Sequence, residues 1–249
     1  MRTIQSEWIK LRTILSNKIL VLGAFLFPFV IVTLAATFGS VADGPNSLEM
    51  AEFVMGMSVV TSMLLGVVTA IGLTSEYTHN TIRPTYAATP ARPRVLMSKI
   101  VVSTAIALVV AAATVFATWF SGSTIFNSRG GNTSIGDPKI MTVLVSAVIL
   151  SALVTWFGFG VGLLVRNSPT TVSLLLLWPL LIEGLISVFL GLLNWDGAVK
   201  YLPYHAAIAA SVGNPDTDEL GRPGGQILFA LVGVALVSVG VWLDGRRDA

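Results

Sequence analysis

The sequence has no cysteine, which excludes a disulfide framework and any thiolate metal site. Charge is scarce too. Asp, Glu, Lys and Arg supply 11% of the 249 residues, against about 25% in ordinary soluble domains. No polar interval approaches the roughly 100 residues that a separate soluble catalytic domain would need. The G-x-x-x-x-G-K-[ST] signature is missing, so nucleotide binding and hydrolysis by the P-loop route are excluded. His79 and His205 fall in different polar segments and no H-E-x-x-H occurs, which argues against a paired-histidine metal site. The apolar runs hold serines but no histidine to activate one, which weighs against an intramembrane serine protease.

What fills the chain is apolar sequence. Hydrophobic residues make up 54% and the mean hydropathy is +0.80. The predicted architecture is an all-α integral membrane protein with one transmembrane domain spanning 1–249. Six membrane-crossing helices are expected at about 19–38, 53–73, 100–120, 140–164, 171–193 and 226–242, each near the roughly 20 residues that a bilayer requires. An even number of spans puts both termini on one side. With the termini inside, eleven Lys and Arg fall on the inner segments and four on the outer ones. The positive-inside rule therefore predicts cytoplasmic termini, in a cell membrane taken to be a bacterial plasma membrane.

The first 18 residues carry Arg2, Lys10, Arg12 and Lys18 against the single acid Glu7. Ile4, Trp8, Leu11 and Leu15 recur at helical spacing, as in a basic amphipathic helix lying in the membrane interface. Trp8, Lys10, Leu11 and Arg12 are its candidate interfacial residues. On the outer side, 39–52 reads as a short acidic loop and 121–139, rich in Gly, Ser and Asn, as a flexible connection. The last outer segment, 194–225, is too long for a bare loop, and 202–211 reads as a short amphipathic helix.

Within the spans, Glu183 is the one formally charged side chain well inside apolar sequence, at a cost on the order of 3 kcal/mol near a bilayer centre. Pro179 precedes it by one turn, so a kink and freed carbonyls are expected there. Glu183 is either a polar point on a substrate or ion path or a hydrogen-bonded acid that pins neighbouring helices. In the second span, Ser58, Ser62, Gly66 and Ala70 repeat every fourth residue, a ridge along which backbones can approach closely. It suits plain helix packing, a subunit interface or a lumen. Gly158, Gly160 and Gly162 alternate instead, and are expected to mark local flexibility.

The longest polar interval on the inner side is 74–99, TSEYTHNTIRPTYAATPARPRVLMSK. Far longer than a turn between antiparallel helices needs, it reads as a surface for another protein, with Ile82, Tyr86 and Leu96 filling a groove on the partner and Glu76 and Arg83 as charged contacts. Glu76, Thr81, Ile82, Arg83, Pro90, Arg92, Leu96 and Lys99 follow in an order that resembles the stretch after the second span in ABC transporter permeases of the type 2 exporter class. Asn80 stands where that family usually has glycine, and asparagine is the next most tolerant of left-handed backbone geometry. The spacing around Pro90, Arg92 and Lys99 is slightly degenerate.

The resemblance extends in outline over the whole chain. It implies a permease subunit of an ATP-driven exporter, itself not an enzyme and holding no cofactor, with ATP and magnesium on a separate ATP-binding subunit. It also implies a second permease copy, as a homodimer or heterodimer, and no nucleic-acid partner. The segment 74–99 would contain the coupling helix that docks on the ATPase, and the N-terminal helix would be the elbow. The family's lumen is lined by spans matching the second and fifth here, making Ser58, Ser62, Thr69 and Glu183 the candidates for the translocation path. Two other readings stay open: a proton-coupled secondary transporter using Glu183, and a noncatalytic membrane scaffold that binds a soluble partner.

Overall fold

The computed structural model describes residues 15–39, 46–88, 92–212 and 220–246. Trp8, Lys10, Leu11, Arg12 and Pro90 lie outside them, and with them the expected interfacial helix. The described residues are helical almost throughout. In chain order they form α1 (Leu15–Phe38), α2 (Ser47–Thr78), α3 (Ile82–Ala88), α4 (Arg92–Ser128), α5 (Pro138–Val165) and α6 (Ser168–Leu177). A π turn at Trp178–Ile182 leads into α7 (Glu183–Leu192), a 3-10 turn at Asp196–Tyr201, α8 (Pro203–Val212) and α9 (Gly221–Arg246). Six helices are long and apolar enough to cross a membrane, with α6, the π turn and α7 together making the fifth.

The helices run past the apolar windows that reveal them, because polar caps rather than loss of hydropathy end them. Asn46 starts α2 with a capping box: its Oδ1 accepts from the Leu48 and Glu49 amides, and Glu49 Oε2 accepts from the Asn46 amide at 3.1 Å. Asp137 caps α5 ahead of Pro138, whose missing N–H costs nothing at a first helical position. The connection at 121–139, expected to be flexible, is instead built. α4 runs to Ser128, and the Asn127 amide closes the turn on Thr133 by three hydrogen bonds. Arg129 donates to the carbonyls of Ala36 and Gly39, tying this turn to the end of α1.

The core is the seam between α2 and α5. In lipid there is no hydrophobic drive between apolar helices, so close backbone approach and interhelical hydrogen bonds must hold them. The ridge of small residues on α2 lies on this seam: Ser62 Oγ meets Ser151 Oγ at 2.8 Å. A Cβ on Gly158 would sit 2.7 Å from the Gly66 carbonyl oxygen, and one on Gly160 would sit 2.6 Å from Leu236 Cβ of α9. These glycines are therefore packing seams on two faces of α5, not points of flexibility. Buried hydroxyls of Ser58, Ser62, Thr69 and Thr155 donate to carbonyls of their own helices four residues back, which satisfies them away from water. α1 hangs on this core through Thr61, whose hydroxyl donates to the Ala24 carbonyl at 2.7 Å.

Candidate functional site

At one end of the bundle the α2–α4 connection folds back as a compact cap. α2 stops at Thr78, and Asn80 takes the left-handed conformation with φ 55°. That is the backbone geometry for which its glycine-like tolerance was needed. The seven residues of α3 follow, with Ile82 and Tyr86 clustered with Val95 of α4. Ile82, Tyr86 and Leu96, expected to fill a partner's groove, face inward and are buried within this chain. Apolar side chains at this end have an intrachain cleft to fill, and that burial is available without a partner. Thr81 and Arg83 are exposed.

Among the described residues, two ion pairs fasten the cap. Lys99 Nζ donates to Glu76 Oε1 at 2.6 Å, with both side chains buried, so Glu76 faces α4 and not a surface. The second pair centres on Asp244 in the last turn of α9, 1% exposed. Its Oδ1 accepts from Arg166 and from Tyr77, each at 2.6 Å, and its Oδ2 accepts from Tyr86 at 2.8 Å. Arg92 donates to the Asp244 backbone carbonyl at 3.0 Å and lies over the Tyr86 ring. Arg166 lies over the Tyr77 ring in the same way. Burial, with the Asp244 carboxylate beside it, raises the Tyr86 phenol above its usual range, so it stays a donor. One carboxylate thus gathers α2, α3, the α5–α6 turn and α9. Arg166 reaches it because it occupies that turn in the left-handed conformation, φ 56°.

Sequence reasoning missed Asp244, Arg166 and Tyr77. Asp244 and Arg166 read as membrane flanks of their spans, and nothing local marks a flank as paired. The one available signal was Asp244 itself, an acid among the basic residues of the inner side.

At the other end of the bundle, Glu183 is 4% exposed and its carboxylate is fully engaged. Oε1 accepts from Trp178 Nε1 at 3.0 Å and from the Tyr204 amide at 2.9 Å, and Oε2 accepts from the His205 amide at 2.9 Å. The two amides belong to the first turn of α8, where unpaired N–H groups and the helix dipole favour an anion. These hydrogen bonds join Glu183 to the π turn and to α8. Pro179, with no N–H to give, lies in the π turn, which Glu183 closes by donating its amide to the Trp178 carbonyl. Tyr204 then packs edge-on against Phe157 and Phe229, so α8 is tucked into the bundle rather than lying free.

The residues proposed for a translocation path are not brought together. Ser62 lies on the α2–α5 seam with Ser58 one turn before it on α2, Glu183 lies under α8, and Thr69 is on the wall of a cavity of about 840 Å³ beneath the cap. The family model described as "ABC-2 family transporter protein" matches residues 3–136, which take in the first three spans and the whole α2–α4 connection. No curated protein matches the chain significantly.

Proposed function

The chain belongs to the ABC-2 family of transporter membrane proteins, and from that premise we propose that it is the permease subunit of an ATP-driven exporter. In this reading hydrolysis of ATP with magnesium takes place on a separate ATP-binding subunit, a second permease copy completes the channel, and the cap and both termini face the cytoplasm.

The observation that carries the reading is the cap itself. A permease driven by another chain has to receive motion at a small contact and pass it to its spans. α3 and the turn before it offer an exposed edge at Arg83 and Thr81, while Tyr86 of α3 is bonded to Asp244 of the last span. A push on α3 has a stiff polar path into α9 and the α5–α6 turn. Arg83 and Arg94, both exposed, suit an acidic rim on the partner. Glu76 contributes by holding Lys99, from within. The fifth span has the least buried window of the six, and Leu180, Leu185 and Phe189 stand on its free flank; that flank is assigned to the second copy. The three hydrogen bonds on Glu183 disfavour a proton-coupled mechanism through it.

The test is Arg83→Glu with Arg94→Glu, two exposed positions whose reversal leaves the buried pairs intact. The double variant should insert and melt like the parent yet fail to co-purify with a co-expressed ATP-binding subunit. Normal assembly and export would reduce the cap to a structural feature.

A further inference from the structure

The outward face of α9 takes no part in the cap. Phe229, Gly233, Val237, Gly240 and Asp244 recur at helical spacing on the face packed against α5 and the cap. Ile227, Leu231, Val234, Val239 and Trp242 stand exposed on the opposite face. The last of these differs in kind. Trp242 is 54% exposed, and the Arg246 guanidinium, one turn further on, lies 3.9 Å from its ring centre, held there by the attraction of a cation for the indole face.

The height of Trp242 in the bundle follows from its neighbours along α9. Two residues earlier, a Cβ on Gly240 would sit 2.6 Å from Leu163 Cβ in the last turn of α5, and two residues later Asp244 pairs with Arg166 just past the end of α5. Trp242 therefore stands where apolar sequence gives way to the charged cap. Arg246 lies about 6 Å further along the helix, on the polar side.

The chemistry of this face chooses its occupant. Helices associate in a bilayer through small residues that let backbones approach, and α9 turns Gly233 and Gly240 toward α5 while these bulky side chains point outward. A second copy related by a twofold axis along the membrane normal would bring Arg246 to the level of its own counterpart. Lipid suits every part of the face. Acyl chains cover the apolar residues, an indole is favoured at the boundary layer, and an arginine reaching past it is complementary to phosphate.

We propose that Trp242 and Arg246 form a membrane anchor in the leaflet on the cap's side, with the indole level with the lipid glycerol groups and the guanidinium paired with the phosphate of an acidic phospholipid. An acidic headgroup is selected because its net charge attracts a basic side chain at the surface, whereas a zwitterionic one brings its own cation. The anchor fixes the height of Asp244, and with it the cap, against the bilayer surface. It needs only that the chain be membrane-embedded and does not depend on ATP-driven export.

The test uses the full chain reconstituted alone in phosphatidylcholine vesicles that contain phospholipid with a nitroxide on a shallow or a deep acyl carbon. The emission of Trp242 is the difference between the parent and Trp242→Phe, with Trp242→Tyr as the second subtraction where the first variant folds poorly. That emission should be quenched more strongly by the shallow nitroxide than by the deep one. With the nitroxide shallow, phosphatidylglycerol as its carrier should quench at about fivefold lower concentration than phosphatidylcholine, the enrichment expected from one basic residue beside an anionic headgroup. Arg246→Gln should abolish that preference and leave the depth unchanged. Stronger quenching by the deep nitroxide would overturn the anchor, and quenching by neither would overturn it by placing Trp242 against protein, a second copy included. Equal quenching by both carriers in the parent would overturn the pairing with an acidic lipid. Because no ATP-binding subunit is present, failure of subunit assembly leaves all these readouts unmoved, and the two proposals fail separately.

Discussion

Tyr86 and Asp244 are 158 residues apart in sequence and 2.8 Å apart in space, the phenol of a seven-residue helix donating to the last acid of the final span. Through this pair the loop after the second span and the end of the sixth become one piece. Asp244→Asn should test how firmly. It keeps an acceptor for the tyrosines but strands Arg166, whose side chain is 16% exposed. A loss on the order of 3 kcal/mol is expected. Tyr86→Phe removes one hydrogen bond and should cost about 1 kcal/mol. The measurement is detergent-phase thermal unfolding, and equal small effects from both would show that Asp244 is not the hub.

The Glu76–Lys99 pair predicts a non-additive cycle. Lys99→Met removes the cation 2.6 Å from the buried Glu76 carboxylate and should destabilise by about 3 kcal/mol. Adding Glu76→Gln should restore much of that loss, because the double variant buries no uncompensated charge. If the double variant is as unstable as the sum of the two singles, the residues act independently.

For Glu183 the prediction concerns α8. Glu183→Leu takes the acceptor away from two backbone amides and the Trp178 ring N–H. Hydrogen exchange at the amides of residues 204–212 should rise about tenfold or more, with the cap at the opposite end unaffected. Glu183→Gln retains one acceptor oxygen and should fall between. Unaltered exchange in the leucine variant would remove Glu183 from the docking of α8.

Gly158 is predicted to be intolerant of any side chain. Gly158→Val places its Cβ against the Gly66 backbone and should cost about 1 to 3 kcal/mol by overpacking. Gly184→Val is the control, since nothing lies within 4 Å of a Cβ there. Comparable losses at both would mean that helix propensity, and not close approach, is what valine disturbs.

The spans were legible because about 20 apolar residues in a row leave few alternatives, and the family showed itself in one polar stretch whose order of residues survives an Asn80 for Gly exchange. α8 was legible for a related reason, since a segment of that length outside the spans needs structure of its own. Orientation within the cap was not legible. Ile82 and Tyr86 read as exposed anchors because no local pattern says whether an apolar side chain in a polar segment turns toward a partner or toward its own bundle. The partners of Asp244 are distant in sequence, as are those of Gly158 and Gly160, and a charge or a glycine carries no record of what it will meet. Glu183 was legible as an acid in need of partners, but which groups supply them depends on the position of the α8 amides, which no local pattern gives.

The π turn at Trp178–Ile182 adds a residue to the count between two landmarks of the fifth span. Buried Leu175 and buried Glu183 are eight positions apart, where two ordinary turns would take about seven. A helical wheel drawn straight through the span is therefore out of phase beyond Trp178, and misplaces its second half by about 100°. The span works as two rods with separately chosen faces, the first set by α2 and the second by α8. Shortening it by a single residue in this turn, with every side chain elsewhere unchanged, would swing the Glu183 carboxylate away from the amides of Tyr204 and His205 and turn it toward lipid. Length at this one place is as stringent a requirement as any side chain in the protein.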